Sequence, residues 1–255
     1  MTAFSPAQGT GTPDVADTAR CHALIPAAGV GTRMGDGVPP KQYLPLAGRP
    51  MIWHAIAALA ACPSIARVFV VLAPEDAYWH DADYAAFGER LAVLRAGGPT
   101  RAQSVAQGLA AMRRPPWQVD DTDWILVHDA ARPCLTPAAV ARLIAQVRPT
   151  RAGGILAVPV ADTLKRAQDG APASIAATVA REGLWQAQTP PMFRAARVAS
   201  ALDAAPVGTD EASAVEASGL HPLLVEGEPT NLKVTWPRDL ALAELILRQQ
   251  QEQSA

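Results

Sequence analysis

Lysine is scarce in this sequence: three of its 255 residues are lysine (Lys41, Lys165 and Lys233) against 19 arginines. With 24 acidic and 22 basic residues the net charge is -2. The chain therefore lacks the broad positive field that drives non-specific nucleic-acid binding, and no nucleic-acid partner is expected. Any phosphate binding has to be local. In a background of 53 alanines and few lysines, a lysine is a candidate for a position where a compact ammonium serves and a planar guanidinium would not fit. Cysteine is also rare. Cys21, Cys62 and Cys134 are odd in number and have no C-x-x-C spacing, so neither a disulfide framework nor a zinc site is suggested, which suits a reducing cytoplasm. Long apolar runs are missing as well. The least charged stretch, residues 50–66, is interrupted by His54 and Pro63 and reads as a buried helix, so no membrane association is expected. The first 20 residues have no basic segment followed by an apolar core. They read as a mobile extension rather than a secretory signal, with residues 21–255 as a single domain.

What remains is 49% hydrophobic and 18% charged, the balance of a globular chain long enough for a large core. Short β-rich runs at 23–26, 68–72, 91–94, 124–127 and 155–158 alternate with Ala-rich segments of helical composition at 51–62, 101–112 and 137–147. That alternation predicts βαβ units, hence an α/β fold with a mostly parallel sheet covered by helices on both faces. Three loops that follow strands have unusual content: 27–41, 96–101 and 128–133. Ligands of open α/β sheets bind beyond the carboxyl ends of the strands, so the site is expected there. Over residues 159–185 the pattern becomes two β-like stretches around a Gly/Pro turn, which predicts a hairpin with no sheet to join. An isolated hairpin is marginal in water, so packing on a partner subunit is expected. Helices are expected at 194–204, from Asp210, and at 237–250, and strands at 223–225 and 232–235.

The strongest local feature is Ile25-Pro-Ala-Ala-Gly-Val-Gly-Thr-Arg-Met34, followed by Pro40-Lys-Gln-Tyr43. Small residues after a first strand let backbone N–H groups approach a phosphate, and Arg33 and Lys41 add charge. It is not a dinucleotide fingerprint, because Met34 stands where a third glycine is needed, and no Gly-Lys pair marks a Walker A loop. The segment resembles the signature of nucleotidyltransferases that activate sugars and polyols. With Val127-His-Asp-Ala-Ala-Arg-Pro133, Gly97-Gly98, Arg101, Ser104, Thr209-Asp-Glu-Ala-Ser213 and Asn231-Leu-Lys-Val-Thr235, the sequence is similar to the 2-C-methyl-D-erythritol 4-phosphate cytidylyltransferase family from about residue 23 to 248.

The resemblance implies a Rossmann-like nucleotidyltransferase fold that binds CTP and carries an extended β-arm, at about 159–185, which embraces the partner subunit of a homodimer. It implies that Ala27, Ala28, Gly29, Gly97, Gly98 and Ser104 hold the cytidine. Arg33, Lys41 and Lys233 match the basic residues at the triphosphate. Asp129, Arg132, Thr163 and Thr209, with Arg181 from the partner's arm, match positions contacting the methylerythritol phosphate. Pro99 stands where the family commonly has an acidic residue, and its backbone has no N–H to donate to a base. The implied reaction joins a phosphate to the α-phosphorus of CTP, so two anions must meet. Magnesium on the triphosphate, with Asp129 as a candidate ligand, and the three cations would offset that repulsion. Alternatives are a ribitol-5-phosphate or related polyol-phosphate cytidylyltransferase and a non-catalytic CTP-sensing module. Plainer readings stand beside these: Asp129 and Arg132 as a structural ion pair, Lys233 as a surface lysine, Arg181 as a solvated hairpin charge, and His80 with Asp76, Asp81 and Asp83 as a solvated helix face.

Overall fold

The computed structural model describes residues 18–29, 39–150, 152–170, 172–204 and 210–254. The strands are β1 (Cys21–Pro26), β2 (Pro45–Leu46), β3 (Arg49–Pro50), β4 (Ile65–Val71), β5 (Leu91–Leu94), β6 (Trp124–Val127), β7 (Gly154–Pro159), β8 (Leu164–Ala167), β9 (Ile175–Val179), β10 (Trp185–Arg194) and β11 (Leu223–Glu226). The α-helices are α1 (Met51–Ala60), α2 (Arg101–Met112), α3 (Pro137–Val147), α4 (Ala195–Ala204), α5 (Glu211–Ala217) and α6 (Pro237–Ser254). Seven strands form one sheet in the order β11-β7-β10-β6-β1-β4-β5. Every pairing is parallel except those of β10, which runs antiparallel to β6 and β7.

The central strands are apolar throughout because both faces of the sheet are covered. Side chains alternate along a strand, so β1 sends Ala23 and Ile25 to one core and Leu24 to the other, and β6 divides Trp124 and Leu126 from Ile125 and Val127 in the same way. The first core is closed by α1 and α3, the second by α2, α4 and α5. A third, smaller cluster joins Leu46, Met51, Ala131, Cys134, Val234, Ala243 and Leu247, which docks α6 beneath the loops at one end of the sheet. Helix starts are set locally. Thr100 and Gln103 form a reciprocal capping box on α2, Thr136 caps α3 with Pro137 in its first turn, and the Asp210 carboxylate accepts from Ser213 N–H on α5.

Three expectations change. The expected strand at 232–235 is a loop, because its N–H groups pair one at a time: Val234 with the Ala131 carbonyl, Leu232 with the Thr230 carbonyl, and Thr235 with the Asp239 carboxylate. The ten-residue strand β10 was not expected, since Pro190 and Pro191 lie inside it. The register shifts between Gln188 and Pro191, so the prolines occupy an irregularity where ladder donors are not required. The expected extension over residues 1–20 lies outside the described residues up to residue 17. Its last residues are held: Arg20 N–H donates to Asp123 at 2.8 Å and the Arg20 carbonyl accepts from Trp124 N–H. Strands β8 and β9 form a separate two-stranded antiparallel sheet, and most of their residues are exposed.

Candidate active site

Loops at the carboxyl ends of β1, β5 and β6 converge on a cavity of about 260 Å³ lined by Ala27, Ala28, Gly29, Lys41, Gln42, Gly98, Pro99, Thr100, Arg101, Ser104, Asp129 and Lys233, among others. Backbone builds most of one wall. Ala27 N–H donates to the Val71 carbonyl and Gly97 N–H to the Leu72 carbonyl, laying the two loops side by side. The approach is so close that a Cβ on Gly97 would fall 2.3 Å from the Ala28 Cβ, which is why residue 97 carries no side chain. The buried Gln42 amide donates to the carbonyls of Ala27 and Gly29 at 2.8 and 3.1 Å, fixing the course of the small-residue loop. Ser104, on the first turn of α2, receives Gly98 N–H, and its single hydroxyl proton is within reach of the loop carbonyls at 98 and 100. The amino end of α2 therefore faces the cavity with its partial positive charge.

Behind this wall lies a second cavity of about 240 Å³, lined by Arg132, Ala187, Gln188, Thr189, Asp210 and Glu211, among others. Arg101, Asp129 and Lys233 line both cavities and form the partition between them. Asp129 Oδ1 accepts from Arg101 Nε at 2.9 Å, and Oδ2 accepts from Lys233 Nζ at 2.7 Å. Arg101 Nη1 reaches on to Glu211 Oε1 at 2.6 Å, across 110 residues of sequence. Burial disfavours an ionised Asp129, but the Arg101 guanidinium and Lys233 ammonium overcome it and hold the carboxyl well below the usual carboxylate range. Burial likewise opposes the charge on Arg101, and Glu211 and Asp129 more than restore it.

A neutral histidine sets the backbone here. His128 is fully buried, and its Nε2 lies 3.0 Å from the Arg132 carbonyl while Nδ1 lies 3.0 Å from Thr189 Oγ1. A carbonyl only accepts, so Nε2 carries the proton, and Nδ1 accepts from the Thr189 hydroxyl. That hydroxyl oxygen in turn receives Asp129 N–H at 3.1 Å. Burial pushes His128 down to about 4, which keeps it neutral.

Of the candidate residues, Ala27, Ala28, Gly29, Lys41, Gly98, Ser104, Asp129 and Lys233 share the first cavity, with Gly97 packed against Ala28 at its edge. Lys41 donates to the Val234 carbonyl at 2.8 Å, so two of the three lysines, 192 positions apart in sequence, meet in one place. Arg132 lines the second cavity. It donates to the carbonyl of Asn231 at 2.6 Å, whereas Asp129 pairs with Arg101 and Lys233, so the plainer reading of an Asp129–Arg132 ion pair gives way to a different network. Thr163 and Arg181 are exposed on the β8–β9 arm and line neither cavity; Arg181 donates to the Ala161 carbonyl. Arg33 and Thr209 lie outside the described residues. In the His80 group, Asp76 bonds Tyr43 and the turn N–H groups of residues 78 and 79, and among the described residues no three His, Cys, Asp or Glu side chains gather as for a metal ion. The sequence reading missed the roles of Gln42, Thr189 and Glu211. Gln42 and Glu211 were visible only as members of their motifs, and Thr189 carried no signal.

A mostly parallel α/β sheet whose strand-end loops pair a backbone-lined pocket with converging cations defines a nucleotide-handling enzyme of the transferase class. The model of 2-C-methyl-D-erythritol 4-phosphate cytidylyltransferase matches residues 21–249. The protein of that name from Dechloromonas aromatica is 55% identical over 90% of this chain and 98% of its own length, and that from Aromatoleum aromaticum is 54% identical over 89% and 95%. Among solved structures, a 4-diphosphocytidyl-2C-methyl-D-erythritol synthase superposes with a TM-score of 0.78 at 44% identity, covering 90% of this chain and 99% of the other. The 2-C-methyl-D-erythritol 4-phosphate cytidylyltransferase from Thermus thermophilus gives 0.71 at 33% identity, with the same coverage. The chain belongs to the 2-C-methyl-D-erythritol 4-phosphate cytidylyltransferase family.

Proposed function

We infer that this chain transfers CMP from CTP to 2-C-methyl-D-erythritol 4-phosphate, giving 4-diphosphocytidyl-2-C-methyl-D-erythritol and pyrophosphate in isoprenoid precursor biosynthesis. The observation that carries the reading, beside family membership, is the partition of Arg101, Asp129 and Lys233 between two adjoining cavities. The first, with its backbone wall, takes CTP: the base lies against residues 97–100 and the triphosphate between Lys41 and Lys233, with Arg33 as a further cation. A proline at 99 offers no N–H, so base recognition there falls to neighbouring backbone groups and to the narrowness of the pocket. The second cavity takes the acceptor, with Arg132 and Thr209 as further contacts.

In the reaction an acceptor phosphate oxygen forms a bond to the α-phosphorus of CTP, the bond to the β-phosphate bridging oxygen breaks in line, and pyrophosphate leaves. The nucleophile is already ionised at neutral pH, so no protein base is needed. Asp129, held ionised, orients the acceptor by accepting from its hydroxyls on lone pairs not used by Arg101 and Lys233. The ammonium groups stabilise charge on the α-phosphoryl oxygens as it develops. Asp129 is not assigned as a resident metal ligand, because each of its oxygens already accepts from a cation and its remaining lone pairs are assigned to the acceptor's hydroxyls. A divalent ion such as Mg²⁺ is proposed instead to arrive on the oxygens of the nucleotide.

The β8–β9 hairpin supports a homodimer: it joins no larger sheet, and Ile175 on it is 63% exposed, with Leu184 and Trp185 at its base also open. Such an arm would carry Arg181 to the partner's acceptor cavity. The free, buried cysteines support a cytoplasmic setting, and no described helix is long and apolar enough to cross a membrane. Incubation with CTP, Mg²⁺ and the methylerythritol phosphate is expected to release pyrophosphate. Absence of release, or a clear preference for ribitol 5-phosphate in competition, would contradict the reading. Sedimentation of a fully active monomer would contradict the dimer.

A further inference from the structure

The carboxylate of Glu211 is 1% exposed, lies beside the partition at the wall of the second cavity, and makes its one hydrogen bond to Arg101. Arg101 is thereby clamped between two carboxylates, Glu211 through Nη1 and Asp129 through Nε. A guanidinium fork can bridge two anions in a fixed plane, which a point-charge ammonium cannot do. The chain of contacts runs Glu211, Arg101, Asp129, Lys233, with two negative and two positive charges in alternation. Lys233 at one end is 45% exposed, whereas Glu211 at the other end is 1% exposed on the wall of the second cavity.

The pair is poorly arranged as a structural device. Arg101 Nη2 and Glu211 Oε2 are both buried without a hydrogen-bond partner, a cost that an apolar pair at the same place would avoid. The cost is understandable if the pair holds something else in place. Helix α5 brings Glu211 to the site through its cap: Asp210 holds the Ser213 N–H, so the first helical residue is aimed inward. Helix α2 brings Arg101 as its own first residue after the Thr100 cap. Two capped helix starts thus meet through one ion pair on the wall that both substrates share.

We propose that Glu211 is a positioning residue: by clamping Arg101 it fixes the Asp129 carboxylate, and with it Lys233, so that the acceptor is bound in register with the nucleotide. The proposal rests on the assignment of the second cavity to the acceptor. It predicts a defect larger on the acceptor side: Arg101, Asp129 and Lys233 line both cavities, but the rest of the nucleotide wall is backbone held by Gln42 and Ser104 and does not depend on Glu211.

The test is steady-state kinetics of Glu211→Gln, which keeps shape and an acceptor oxygen but loses the charge, with Arg101→Lys and the double variant beside it. In Glu211→Gln the KM for the methylerythritol phosphate is expected to rise about tenfold or more, the usual effect of losing a charge-assisted bond, while the KM for CTP moves less than about twofold. Glu211→Asp, which keeps the charge, should recover part of the loss. The double variant should be no worse than Arg101→Lys alone, since the two residues act as one unit. Equal changes in both KM values, an unchanged acceptor KM in a folded variant, additive losses, or variants at both positions that fail to fold would each overturn the proposal and leave a structural ion pair. If the unaltered protein fails to release pyrophosphate with both substrates, the functional reading fails instead, and the two failures are thereby distinguished.

Discussion

The wall of the first cavity is mostly main chain and small side chains, drawn from loops that touch at Ala28 and Gly97, whereas the wall of the second is built from long side chains, Arg132, Gln188, Glu211 and Lys233. The first is made rigid by hydrogen bonds over short sequence distances, such as Ser104 to residues 98 and 100 and Gln42 to residues 27 and 29. The second is held by contacts over long ones, such as Arg101 to Glu211 and Arg132 to Asn231, 99 residues away. Backbone walls read shape and offer N–H groups, which suits a planar base and a phosphate chain. Charged side chains placed by distant elements suit an acceptor that differs from its analogues in a few hydroxyls. Lys233 lines both cavities, and the proposed reaction would bring its two anions together there.

The largest effect is expected from removing that shared charge. Lys233→Ala and Lys41→Ala should each lower kcat by about 100-fold or more, as for loss of one electrostatic stabiliser of a transition state, while CTP affinity falls far less. Parallel measurement of kcat and CTP binding checks this, and a loss confined to binding would remove the distinction between the cavities. Asp129→Asn should come next, lowering kcat/KM for the acceptor by about 10- to 100-fold, because Arg101 and Lys233 lose the carboxylate between them. A comparable rise in the KM for CTP would blur the comparison.

Stability gives the next two. The pKa of His128 is lowered from its usual 6.5 to about 4 in the folded chain, so the unfolded chain takes up the proton first as pH falls. Its contribution is complete above pH 6.5 and is lost as pH falls through that window, amounting to about 3 kcal/mol at most. His22 and His54 are also lowered by burial and act in the same direction, so the test is a difference. Denaturant unfolding at pH 7 and pH 4.5 should show a smaller loss in His128→Gln than in the parent, and an equal loss would contradict the neutral, buried assignment. On the nucleotide side, Gly97→Ala should cost about 1–3 kcal/mol by overpacking against Ala28 and Leu72, and should raise the KM for CTP more than that for the acceptor. The smallest effect is expected from Thr100→Ala, which removes the α2 cap at about 1 kcal/mol and, because Thr100 lines the first cavity, is felt by CTP more than by the acceptor.

Local patterns carried much of this architecture. Strands β5 and β6 and helices α2 and α3 appear where the alternation of β-rich runs and Ala-rich segments put them, and a two-stranded hairpin lies between β7 and β10, within the change of pattern over 159–185. The small-residue loop and the motif lysines were legible because sequence neighbours build that side of the site. The strand β10 was hidden because a run with two prolines reads as a break, and only the sheet around it supplies the pairing. The segment at 232–235 looked like a strand because alternating Leu232 and Val234 are apolar, yet Val234 is buried under α6 and against the Ala131 loop, not in a ladder. The clamp of Glu211 on Arg101 had no local signature either. An ion pair 110 residues apart is a property of the fold, and the motif containing Glu211 announced only that something was there.

The most direct test is a crystal structure of the chain with CTP bound. The account predicts the pyrimidine against residues 97–100, the triphosphate beside Lys41, and the α-phosphate within about 3 Å of Lys233 Nζ with the second cavity left to the acceptor. A nucleotide seated in the second cavity, or a triphosphate with both lysines directed away from it, would contradict it.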